Sequence, residues 1–297
     1  MTINVIDYRR FWYGFSGLLI ALSVLAVAVW GLKFGIDFTG GSLMEIQAPG
    51  ATTSAQVHEA FGGAGYPSAS VQQTGEGRFL VRTDALDETP HQALLGSLKE
   101  KFGEVSELRF DSIGPVIGQE LRRTATIGVI LTLALIGLYI AWAFRSSGKE
   151  TSAWKYGAIT VITAFHDVVI PIGAFAVLGH FYGFEVGTAF VAAALTILGY
   201  SINDTVVVLD RTRENLRNRV SPYLDETVQT SVNQTWARSL NTSATTLLAL
   251  LAVFLFGGET TRAFALALLL GIGVGAYSSI FIASPLLVTW SKRGNRQ

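Results

Sequence analysis

GTAFVAAALTILGYSINDTVVVLD (187–210) is apolar enough to cross a membrane, yet it carries a carboxylate, Asp204. GAITVITAFHDVVIPIGAFAVLG (157–179) repeats the pattern with Asp167 beside His166. A helix needs about 20 apolar residues to cross the hydrocarbon core. An ionised carboxylate there costs roughly 3 kcal/mol even on lenient scales, so such a residue points to function. Its usual tasks are proton relay, ion binding or helix–helix pairing.

Outward from this pair, six segments have the length and apolarity of spans: 12–32, 125–144, 156–179, 187–209, 239–256 and 263–290. Half of the 297 residues are hydrophobic and 15% are charged. That charged share is well below the roughly 25% of soluble domains. The net charge of zero implies no nucleic-acid partner, and the absence of cysteine excludes disulfides and thiolate metal sites. Arg9-Arg10 precede the first span, and the small trio Ala26-Val27-Ala28 lies inside it. The apolar run continues past the trio and five spans follow, which reads as an uncleaved anchor.

The Lys/Arg distribution sets orientation. Arg9, Arg10, Arg145, Lys149, Lys155, Arg211, Arg213, Arg217, Arg219, Lys292, Arg293 and Arg296 fall on one side if the chain crosses six times. The opposite short loops hold only Arg262 beyond the span ends. Both termini are therefore expected in the cytoplasm and residues 34–122 outside. The chain then reads as an N-terminus and first span (1–33), an outer domain (34–122), a five-helix region (123–291) with an inner loop at 211–237, and a cytoplasmic tail (292–297).

The outer segment predicts strands at 42–48, 69–74, 78–83 and 105–111, and helices at 53–63 and 90–102. Thr89 is the expected N-cap of the second helix, with Pro90 at its first position. Phe79 and Val81 alternate with Leu80 and Arg82, as in a half-buried strand. The β-α-β-β-α-β order matches the ferredoxin-like split motif. The fold class is thus a polytopic α-helical membrane protein with six spans and a small α+β ferredoxin-like outer domain.

In the inner loop, Ser221-Pro222 before Asp225-Glu226 starts a helix, and Val228, Val232 and Trp236 recur at helical spacing. An amphipathic helix at the membrane interface is the expectation, with partner docking as the alternative. In the last span Ala263, Ala267, Gly271, Gly275, Ser279 and Ala283 form a period-four ladder of small residues, a close helix-packing device. Pro171 and Pro285 can kink their spans.

Counting residues places His166 and Asp167 near mid-membrane, and Asp204 about 9 Å toward the cytoplasm at 1.5 Å per residue. Tyr200, Ser201 and Asn203 add polar groups beside it. Arg238, Asn241, Thr242 and Thr245 share one face of span five and enter the same cytoplasmic half. An arginine near Asp204 favours its ionised form and burial favours the neutral one, a balance that suits proton loading. The plainer alternatives are a snorkelling Arg238, a structural Asp204 bonded to the Asn241–Thr246 face, and a satisfied His166–Asp167 pair. Asp210 reads as interfacial, and Asp37 in GIDFTGGS as turn chemistry beside Gly40-Gly41. The approach Gly199-Tyr200-Ser201-Ile202-Asn203-Asp204 lacks the Gly-x-Gly-Asp of intramembrane aspartyl proteases. Neither His-Glu-x-x-His nor a Gly-rich phosphate loop occurs, so an enzyme is not expected.

GIDFTGGS (35–42), FDSIGPVIGQEL (110–121), FHDVVIPIG (165–173) and LGYSINDTVVVLDRTREN (198–215) together resemble the successive signatures of the SecF branch of the SecD/SecF family, within the resistance-nodulation-division superfamily. The resemblance covers nearly the whole chain. It implies a bacterial cytoplasmic-membrane subunit that needs a SecD-like half and joins the SecYEG channel. The complex would use the proton-motive force to promote export of unfolded polypeptide after the ATP-driven step. Protons are the coupling ion, no cofactor is implied, and membrane lipids surround the spans. The family's relay Asp and Arg fall on Asp204 and Arg238. His166, Asp167, Asn203, Asn241, Thr242 and Thr245 are the supporting polar groups. Two alternatives stand beside this: a proton-coupled exporter of lipids or small hydrophobic molecules, and a purely structural assembly subunit.

Overall fold

The structure, a computed structural model, describes residues 4–49, 52–145 and 152–294, with the side chains of 259, 260 and 292–294 set aside. Lys149 and Arg296, and the side chains of Lys292 and Arg293, lie outside what is described. The chain divides into two compact units, Phe34–Thr126 and Met1–Lys33 with Ile127–Gln297.

The first unit opens with the short helix α2 (Ile36–Thr39), which follows α1 (Arg9–Trp30) of the other unit. Strand β1 (Gly41–Gln47), helix α3 (Ser54–Gly63), strands β2 (Ser70–Gly75) and β3 (Arg78–Thr83), helix α4 (Glu88–Phe102) and strand β4 (Ser106–Ile113) complete it. The antiparallel sheet has the order β2-β3-β1-β4. Met44, Ile46, Phe79 and Val81 point one way and are buried against Val57, Phe61, Leu94 and Leu98 of the two helices. Thr53 and Gln56 close a reciprocal capping box at the start of α3. Gly40 and Gly41 take φ of 75° and 121°, and a side chain at Gly40 would strike the Pro115 backbone at 2.7 Å. The expected start of α4 is corrected: Asp87 is the N-cap, and Thr89 and Pro90 lie inside the first turn. Proline is tolerated there because the first N–H groups of a helix have no intrahelical partner.

In the second unit, six helical segments among the described residues are long and apolar enough to cross a membrane. They are α1, α5 (Pro115–Ala143), α6 (Ala153–Tyr182), α7 (Thr188–Arg217), α8 (Leu224–Phe256) and a composite last span. That last span joins α9 (Glu259–Ser278), a π-helical turn (Ser279–Ala283) and α10 (Ser284–Gly294). α6, α7 and the last span are the most buried; α1, α5 and α8 keep most of their surface uncovered. α1 packs on α6, and α8 packs on α7 and α9. The small-residue ladder works as expected. A Cβ on Gly271 would meet Ile197 at 2.2 Å, and one on Gly275 would meet Ser201 at 2.9 Å.

The inner loop differs from its expectation. α7 continues to Arg217 and α8 already begins at Leu224, so the expected amphipathic helix is the first part of span five itself. Val228 and Val232 are fully buried in a core with Tyr156, Leu209 and Leu287, so this face meets protein and not the membrane interface.

Candidate functional site

Two polar centres lie between the central helices. Asp167 of α6 is fully buried. Its Oδ1 lies 2.7 Å from His166 Nδ1, and its Oδ2 accepts from Ser201 of α7 and, at 2.7 Å, from Ser278 of α9. Three helices thus converge on one carboxylate. Asp204 of α7, 5% exposed, is held more loosely. Ser279 Oγ donates to it at 3.5 Å, and Ser239 of α8 faces it without completing a hydrogen bond of ordinary geometry. Thr205, Ser239 and Ser243 hydroxyls are buried with no protein partner. Buried polar groups are normally satisfied, so these unpartnered hydroxyls on α7 and α8, the helices that carry Asp204 and Ser239, suit an exchanging water.

Local sequence explains the placement. On α7, Ser201, Asp204, Thr205 and Val208 share the buried face. On α8, Thr227, Ser231, Thr235, Ser239 and Ser243 recur every four residues and are all buried, so a stripe of small hydroxyls faces its neighbours. Ser278 and Ser279 sit where α9 gives way to the π-helical turn, just ahead of Pro285. Proline cannot donate to the carbonyl four residues back, and a local widening of the helix absorbs that mismatch.

Arg238 is placed differently from its expectation. It is exposed, and no ion pair joins it to Asp204 among the described residues. Asn241, Thr242 and Thr245 are exposed with it, the two threonines bonding back to their own helix. The rotation of α8 that buries Ser239 and Ser243 turns this face outward. Tyr200 of α7 reaches the Thr242 carbonyl at 2.9 Å and Thr246 at 3.0 Å. Asn203, one turn from Tyr200, is exposed as well. The sequence-predicted residues therefore split: Asp204, Asp167 and His166 lie inside, and Asn203, Arg238, Asn241, Thr242 and Thr245 form an uncovered polar surface. Ser239, Ser243 and Ser278 were not singled out beforehand; the four-residue spacing of hydroxyls in α8 was the signal for the first two. Among the described residues no cluster suits a metal ion.

Six membrane-capable helices with a polar centre buried among α6, α7, α8 and the last span, together with a separate β-α-β-β-α-β unit, define a polytopic membrane protein. Residues 94–293 match the family described as protein export membrane protein SecD/SecF, C-terminal, and residues 27–48 match the SecD/SecF GG motif, which includes Gly40-Gly41. The chain belongs to the SecD/SecF family. It is 39% identical to the protein translocase subunit SecF of Thermobaculum terrenum, over 98% of this chain and 95% of that one. To the SecF of Anaerolinea thermophila it is 37% identical, over 97% and 94%. The crystal structure of a Thermus SecDF, a translocon-associated membrane protein, superposes with a TM-score of 0.86 at 36% identity. That match covers 99% of this chain and 39% of the Thermus chain, so this chain spans about two fifths of that longer protein.

Proposed function

We propose that the chain is the SecF-type half of a proton-driven accessory to the Sec translocase. It pairs with a SecD-like half in the bacterial cytoplasmic membrane, both termini inside and residues 34–122 outside. The pair works with the SecYEG channel and promotes outward movement of unfolded polypeptide after the ATP-driven step. It performs no covalent chemistry and needs no cofactor beyond the proton.

The observation that carries this reading is the buried, loosely held carboxylate of Asp204, with Ser279 at 3.5 Å and Ser239 facing it. Asp204 takes and releases the proton. Arg238 lies on the uncovered polar face of α8, which a SecD-like half would cover, and supplies positive charge at that seam. Relatives in which one chain is named SecDF, such as that of Brucella abortus at 37% identity, support such a partner. One elementary charge crossing 100 mV supplies about 2.3 kcal/mol, roughly fifty-fold in an equilibrium between two helix arrangements. Two solved SecDF forms superpose on this chain with TM-scores of 0.86 and 0.72, which fits a scaffold with more than one arrangement.

The test is depletion of the chain in its own cell. Secreted precursors should stall late in translocation, and the tagged chain should co-purify with a SecD-like protein. Unimpaired export, or purification without such a partner, would overturn the reading.

A further inference from the structure

His166 has a chemistry that the Asp204 site does not use. It is 3% exposed. Its Nδ1 lies 2.7 Å from Asp167 Oδ1, and its Nε2 is buried with no hydrogen-bond partner. Asp167's other oxygen accepts from Ser201 and Ser278, so both carboxylate oxygens have partners while one imidazole nitrogen has none. Facing an ionised carboxylate, Nδ1 carries the ring proton, which leaves Nε2 as a lone-pair acceptor. The ring of Tyr277 lies 6.4 Å away, but its hydroxyl is engaged with Ser16 at 3.1 Å and cannot serve Nε2.

We propose that the His166–Asp167 pair is a second proton-binding site of this chain, taking its proton on His166 Nε2. Binding forms one N–H bond at Nε2 as an O–H bond of the donating hydronium breaks and leaves water. The product is an imidazolium against a carboxylate, a pair with no net charge, which the bundle interior can hold because the aspartate is already oriented by two serines. The titratable groups facing it are Asp167 on α6, Asp204 on α7 beyond Ser201, and Tyr277 on α9; α1 contributes the Ser16 hydroxyl behind Tyr277. Ser278 on Asp167 and Ser279 on Asp204 are sequence neighbours, so the two proton sites share one stretch of the last span, where α9 meets the π-helical turn. A role in transport rests on the proton-driven reading above; the proton site itself does not.

The experiment is imidazole 15N NMR of the full chain in lipid bilayers, with the His166 signal among the four histidines assigned by His166→Gln. The ring should be the Nδ1–H tautomer at alkaline pH and doubly protonated on acidification, in the native chain and in Asp204→Asn alike. Asp167→Asn should weaken proton binding at His166 at least tenfold, roughly one pH unit. A ring that stays neutral wherever the fold persists, or one that carries its proton on Nε2, overturns the proposal. If the ring titrates but Asp204→Asn exports normally, the second site stands and the proton-drive reading falls. If Asp204→Asn abolishes gradient-driven export and the ring does not titrate, only the second site falls.

Discussion

Ser278 of α9 donates a 2.7 Å hydrogen bond to Asp167 of α6, and the next residue, Ser279, reaches Asp204 of α7 at 3.5 Å. Two adjacent hydroxyls on one helix therefore touch both buried carboxylates, at the point where that helix widens into its π-helical turn. A change of charge at either acid acts on the same short stretch of backbone, which is how proton binding at one acid would bias the helix arrangement felt by the other.

The two serines should differ in their structural weight. Ser278→Ala leaves a fully buried carboxylate short of a donor, which costs about 1–3 kcal/mol. Ser279→Ala removes a contact at the outer limit of hydrogen-bond distance and should cost less. Thermal unfolding of the two variants in the same detergent checks the order; equal losses would contradict the geometry.

Close packing of α1 on α6 depends on Gly173. A Cβ there would lie 2.4 Å from the Ser23 backbone. Gly173→Ala should destabilise the bundle by about 1–3 kcal/mol through overpacking. Gly273→Ala is the control, since a Cβ at Gly273 meets nothing within 4 Å. It should be neutral or slightly stabilising, because alanine favours helix by about 1 kcal/mol over glycine. Unfolding midpoints measured side by side decide the matter.

The Phe34–Thr126 unit holds a buried histidine of a different kind. His91 is 3% exposed, stacks on Phe110 with ring centres 3.7 Å apart, and meets Glu107 at 2.7 Å. Glu107→Ala strips that nitrogen of its partner and should cost about 1–3 kcal/mol. Amide hydrogen exchange in the full chain should show the loss in α4 and β4, with the spans unaffected.

Glu88, at the start of α4, titrates below the usual glutamate range because the Gln92 amide donates to it at 2.8 Å, with His91 helping. A depressed folded value means a contribution present above the ordinary glutamate titration near ~4.3 and lost as pH falls through the lower folded value. Gln92→Ala should therefore lower the stability of this unit slightly at neutral pH, and the gap should close in acid. The effect is small because Glu88 faces solvent. A gap that widens in acid would have the wrong sign.

Length and apolarity are enough to read the six spans, and capping, turns and alternation the element order of residues 34–122, because all are one-dimensional signals. The Phe79/Val81 alternation gave the buried face of β3 directly, and both side chains are fully buried. Helix rotation was not readable in the same way. Arg238 and Ser239 differ by one residue and about 100° of turn, and which of them meets α7 depends on how the hydroxyl stripe of α8 packs. The position of Arg238 along span five places it in the same cytoplasmic half as Asp204 but carries no information about direction. The continuity of α8 through the inner loop was hidden for a similar reason: Val228 and Val232 have the same spacing whether they face lipid headgroups or a protein core.

The measurement that bears most directly on the proposed mechanism is export driven by an imposed proton gradient in vesicles holding SecYEG, a SecD-like half and the Asp204→Asn chain. Asparagine keeps the shape of Asp204 and one acceptor oxygen, and removes its titration. The complex should assemble and ATP-driven translocation should persist, while stimulation by the gradient disappears. Undiminished stimulation in the Asp204→Asn vesicles would contradict the assignment of Asp204 as the proton carrier.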